Sequence, residues 1–71
     1  MTHQTDIIHE KIAQLKAARQ RLGWSEEQCA HHLGVTYSTL SRWERGESVP
    51  KSMVVLKAID QFLRDHLQQE G

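Results

Sequence analysis

The sequence predicts a small all-α domain, and three observations carry that expectation. Apolar residues recur at helical spacing near both ends of the chain. Gly23, Gly34 and Gly46 each stand just after such a segment, and the N-capping residues Ser25 and Thr36 follow two of them. Strand signals are thin, with one proline, few aromatic residues and no alternation of polar and apolar residues longer than a few positions. At 71 residues the chain has room for one domain, residues 1–71, with one core. A single cysteine, Cys29, forms no internal disulfide, so that core stands on packing alone.

The first helix is expected over about 6–22. Ile8, Ile12, Leu15 and Leu22 fall on one stripe at about 100° per residue. Arg19 falls in the middle of that stripe, where a solvent-facing base does not belong. Gly23 ends the helix in a left-handed cap. The second helix starts at Ser25, because Ser25-Glu26-Glu27-Gln28 has the form of a capping box. Its buried face is Cys29, Ala30 and Leu33, and Gly34 ends it. Trp24, just before the cap, is placed to staple toward Cys29. The third helix starts at Thr36, runs to Arg45 and is capped by Gly46. After the loop Glu47-Ser48-Val49-Pro50, a fourth helix begins near 50–52 with the stripe Val55, Leu56, Ile59, Phe62, Leu63 and Leu67. Nothing stops it before Gly71, so one long helix that frays at its end is expected.

Lys and Arg number nine and Asp and Glu number nine, so the formal net charge is zero. A nucleic-acid binder usually carries a basic excess, and this total argues mildly against one. The distribution differs from the total: from Thr36 to Lys57 the charges are Arg42, Arg45, Lys51 and Lys57 against Glu44 and Glu47, while both tails lean acidic. No apolar run approaches the roughly 20 residues of a membrane span, so no membrane partner is expected. The opening MTHQTDIIHE is acidic and has no apolar signal core, so no secretory leader is expected. The lone cysteine fits a reducing cytoplasm.

A wheel over the third helix divides it into two sides. Thr36, Thr39, Leu40, Trp43 and Glu44 occupy one; Tyr37, Ser38, Ser41, Arg42 and Arg45 occupy the other. Leu40 and Trp43 need burial, so the second side is a continuous outward face of hydrogen-bonding groups. Glu44 then stands at the core boundary, facing the misplaced base of the first helix. An acid and a base in such positions are each costly alone, and the economical expectation is a structural ion pair, Arg19 with Glu44. The link Gly34-Val35-Thr36 is a short glycine-containing turn between two short helices, the helix-turn-helix arrangement, with its core at 25–45. Val35 plugs the angle. The second helix of such a unit is the one that enters a DNA major groove.

From about 12 to 62 the sequence resembles the phage-repressor, Cro/Xre-like family of helix-turn-helix DNA-binding domains. The resemblance rests on LKAARQRLGWSEEQCAHHLGV, then TYSTLSRWERG, then VP followed by an apolar helix. It implies a lambda-repressor-like bundle of four or five helices and operator binding as a homodimer on double-stranded DNA. It places Tyr37, Ser38, Ser41 and Arg42 at base-reading positions, and Ser25, Thr39, Arg45 and Lys51 at or near phosphates. It also places Arg19 and Glu44 where the family often has a buried ion pair. Two positions depart from the pattern. Glu26 stands where glutamine often approaches a phosphate; it suits the helix dipole but opposes an anion docking there. Cys29 stands where leucine is usual.

On this reading Arg42 makes a bidentate contact to guanine, Ser38 and Ser41 discriminate weakly, and Tyr37 meets a thymine methyl or a phosphate. Arg45 and Lys51 set register. The expected role is a prokaryotic or phage transcriptional regulator of the repressor type, in the cytoplasm. Phe62, Leu63 and Leu67 either complete the monomer core or leave a self-association patch; the sequence does not choose between these. The rival function is a helix-turn-helix protein-interaction module, or an antitoxin-like protein bound to a partner, favoured by the zero net charge and Glu26. No metal or other cofactor and no small-molecule ligand is expected: His3, His9, His31, His32 and His66 match no ligand spacing. An enzyme is not expected either, since Cys29 lacks an orienting third group, the helix serines have no histidine base within reach, and so small a domain offers no cleft with paired acid and base.

Overall fold

The structure, a computed structural model, describes residues 4–67. Its four helices are α1 (Gln4–Leu22), α2 (Glu26–Leu33), α3 (Tyr37–Glu44) and α4 (Met53–Leu67), and the described residues contain no strand. α1 packs against α4 and α3, and α2 against α3 and α4. This is the all-α, lambda-repressor-like helix-turn-helix bundle that the sequence implies. His3 and the end of the fourth helix toward Gly71 lie outside the described residues, as does the side chain of Leu67.

Local chemistry sets the helix boundaries. Ser25 is extended, its Oγ accepts from the Gln28 backbone N–H, and the Gln28 side chain accepts in return from the Ser25 N–H. This is the expected capping box, and it satisfies two N–H groups the helix itself cannot pair. α2 ends at Gly34, with φ of +82°. Gly34 donates to the His31 carbonyl and Val35 to the Ala30 carbonyl, which satisfies two of the acceptors at the helix end and turns the chain toward α3. Thr36 then caps α3, its Oγ1 accepting from the Thr39 N–H at 3.2 Å. Arg45 takes the cap position at the other end, and Gly46 follows it in the left-handed conformation.

The core joins Ile12, Leu15 and Ala18 of α1, Cys29, Ala30 and Leu33 of α2, Leu40 and Trp43 of α3, and Ile59, Phe62 and Leu63 of α4. Val35 packs against it from the turn. Phe62 and Leu63 therefore belong to the monomer and offer no self-association patch; among the described side chains of α4 the exposed large apolar ones are Met53 and Val54, 68 % and 77 % exposed. Leu22 departs from the expected stripe and is exposed. It is the last helical residue before Gly23 reverses the chain, and the guanidinium of Arg19 occupies the stripe one turn earlier. Thr36 is also exposed rather than inward, because a cap with extended backbone does not take the 100° helical step. α4 begins at Met53, later than the expected 50–52, after Ser52 accepts from the Val55 N–H. Trp24 lies among rings, those of His32, Phe62 and His66, with centroids 5.3, 5.6 and 5.8 Å away.

Polar side-chain contacts also tie α1 to the rest. Lys11 pairs with Asp60 of α4. Arg19 makes a two-pronged contact with Glu44: Nε to Oε2 and Nη2 to Oε1, both 3.0 Å. Its third donor group, Nη1, reaches the Trp24 carbonyl at 2.9 Å. The side chains of Arg19 and Glu44 are only 11 % and 4 % exposed.

The placement of α3 gives a direct stability contrast. Leu40 is fully buried, so Leu40→Ala is expected to lower stability by about 2–5 kcal/mol. Ser38→Ala on the exposed side should change it by less than ~0.5 kcal/mol. Thermal melts followed by circular dichroism check both, and equal losses would mean that α3 is turned over.

Candidate nucleic-acid interface

α3 has eight residues, too few to be stable as a helix alone. Leu40 and Trp43 therefore fix its rotation by burial, and Glu44 fixes it by pairing. With that side inward, Tyr37, Ser38, Arg42 and Arg45 are exposed and Ser41 is half-buried. The five residues form the continuous polar face that the wheel predicts. The Arg42 side chain has no ion-pair or hydrogen-bond partner among the described residues, so its guanidinium is available to a ligand.

The flanking residues differ in how free they are. Thr39 is half-buried, and its hydroxyl lies 2.8 Å from that of Thr36. Ser25 is exposed; its oxygen accepts the capping bond, and its O–H proton can still be donated outward. Lys51 is exposed in the segment leading to α4. Arg45 pairs with Glu47, Nε to Oε2 at 3.3 Å, a contact absent from the sequence reading. Both side chains are more than half exposed, and such a pair is worth little and can be exchanged for another anion.

Behind the polar face the electrostatics are set by burial. Glu44 is pushed above the usual carboxylate range, first by burial; Arg19 pulls it back, and the neighbouring carboxylate of Glu26 pushes it up again. The Cys29 thiol is pushed up to about 11 by burial and by Glu44, with Arg19 opposing. A thiol so placed stays protonated and has no nucleophilic role. The influence of the Glu26 carboxylate on Glu44 joins residues far apart in sequence, and no local pattern announces it.

A family model described as Helix-turn-helix matches residues 15–64, more than two-thirds of the chain. No curated protein and no solved structure matches it.

Cys29 supplies a check on the packing behind the interface. It should not react with a disulfide thiol reagent at pH 8 in the folded protein, and should release one equivalent at once in denaturant. Prompt labelling of the native chain would mean that the α2–α3 core is open.

Proposed function

The chain belongs to the Cro/Xre-like helix-turn-helix family, whose members bind DNA, and on that premise we propose that it is a sequence-specific transcriptional regulator of the repressor type. The observation that carries this reading is the exposed face of α3, where hydroxyls and an unpaired guanidinium stand together over a buried Leu40 and Trp43. A helix diameter fits the major groove, and these side-chain types read its edges.

Arg42 makes a bidentate contact to guanine O6 and N7. Ser38 and Ser41 donate to or accept from neighbouring base edges, and Tyr37 meets a thymine methyl or a phosphate. Arg45, released from Glu47, and Lys51 fix the register on phosphates, joined by the hydroxyls of Ser25 and Thr39. The cations are few, so one copy binds weakly and its affinity falls gently with salt. Two copies on half-sites one helical turn apart supply the missing affinity, with Met53 and Val54 the apolar surface open to such pairing. The site of action is intracellular; no described helix is long and apolar enough to cross a membrane.

The second reading, a protein-interaction or antitoxin-like module, is favoured by the zero net charge and by Glu26. Fluorescence anisotropy on a randomised duplex pool at low salt separates the two. Regulation by operator binding predicts an enriched sequence and an affinity that falls as salt is added; no enrichment and no salt dependence favour the interaction module.

With an enriched duplex in hand, Arg42→Ala should relax preference at one base pair by about 1–3 kcal/mol. Lys51→Ala should weaken all sequences alike and lower the salt slope by about one. Equal loss of selectivity from both would contradict the division of roles.

A further inference from the structure

α1 and the end of α3 enclose a groove of about 330 Å³ that the reading face does not use. Its α1 wall is His9, Ile12, Ala13 and Lys16, a helical spacing that brings all four onto one side. The opposite wall is Trp43 and the turn Arg45-Gly46. Ile12 and Trp43 are buried and make an apolar floor, while His9, Lys16 and Arg45 are exposed and stand around it. Gly46 has nothing within 4 Å of where a Cβ would stand, so the groove is open on that side.

The charges of the groove do not balance. Glu44 also lines it, but both its oxygens accept from Arg19 and its side chain is almost fully buried. The side chains of Lys16 and His9 have no ion-pair or hydrogen-bond partner among the described residues. Arg45 is held by the exposed Glu47 in a contact that another anion can take over. Lys16 brings three N–H donors and His9 at least one. The turn adds none from its backbone, because the N–H groups of Arg45, Gly46 and Glu47 are spent on the carbonyls of Ser41, Trp43 and Arg42. Those bonds also occupy carbonyls at the negative end of α3, which otherwise repels an anion. What remains is a set of side-chain donors with a positive excess around an apolar floor, the complement of an anion.

Arg45 belongs both to this groove and to the outward face of α3, so the two surfaces are continuous. In a helix-turn-helix complex the second helix lies in the major groove, and the residues beside it meet the phosphates that border the groove. We infer that Lys16 and His9 of α1 join Arg45 in holding one backbone phosphate of the duplex, so that DNA contact extends beyond the helix-turn-helix unit onto the first helix; this rests on the DNA-binding reading of α3. Lys16 supplies the charge, His9 and Arg45 hold the phosphate from either wall, and the apolar floor receives the adjoining sugar. Such a contact reads no bases. It sets how the domain sits against the backbone and how steeply binding falls with salt.

The test couples changes in the protein to changes in the duplex. Phosphates of a selected duplex are replaced one at a time by uncharged methylphosphonates, and affinities are measured by anisotropy at low salt for the native protein, Lys16→Gln and Ala13→Glu. Ala13 is exposed between His9 and Lys16, so a glutamate there sets a carboxylate in the groove and leaves the core intact. Thermal melts confirm that both variants fold. Lys16→Gln should weaken every duplex alike, by about tenfold in about 50 mM salt, and this deficit should shrink about threefold on going to about 200 mM, as one lost phosphate contact requires. Ala13→Glu should lose more. One phosphate should emerge whose neutralisation weakens the native protein but leaves Lys16→Gln almost unchanged. Full affinity in both variants, or a deficit in Lys16→Gln that couples to no single phosphate, overturns the inference and leaves the groove to a free anion. If the native protein binds no duplex at low salt, the DNA reading itself fails and this contact fails with it.

Discussion

One guanidinium holds three parts of this fold together. Arg19 reaches from α1 to both oxygens of Glu44 on α3 and to the carbonyl of Trp24 in the turn before α2. The pair is mostly buried, where leaving either charge without its partner costs about 3–5 kcal/mol. Replacing both partners with apolar groups need not cost stability, so the value of the pair lies in the arrangement it specifies. Glu44 can be buried only where Arg19 meets it, and that fixes the rotation of a helix too short to fix its own.

The exposed face of α3 is the consequence. With Leu40, Trp43 and Glu44 committed inward, the remaining side of the helix is Tyr37, Ser38, Ser41, Arg42 and Arg45. No loop or other helix has to arrange them. The site is built on a regular element whose back is packed, which is the arrangement that keeps reading groups within a narrow range of positions.

Most of the framework was legible because it is local chemistry. The Ser25–Gln28 box, the Thr36 cap and the glycines after α1, α2 and α3 are decided by neighbouring residues, and each appears where the sequence puts it. The two faces of α3 were legible because eight residues at fixed angular steps leave little freedom. The ion pair was legible from two misplaced charges that had no other remedy. What the sequence concealed depends on distant neighbours. Leu22 has the right angle for burial but the helix ends there. Phe62 and Leu63 could be assigned to the core or to a partner only once α1 and α2 were seen to cover them. The Arg45–Glu47 pair and the influence of Glu26 on Glu44 follow from where side chains end in space.

The clamp is tested most directly by a double-mutant cycle on Arg19→Met and Glu44→Gln, with unfolding free energies measured by denaturant. If the guanidinium and the carboxylate hold α3 as described, each single change destabilises the protein strongly. The double change then loses less than the two together, with a coupling of about 1–3 kcal/mol. Additive losses within ~0.5 kcal/mol would show that the two residues act separately, and the orientation of α3 would need another cause.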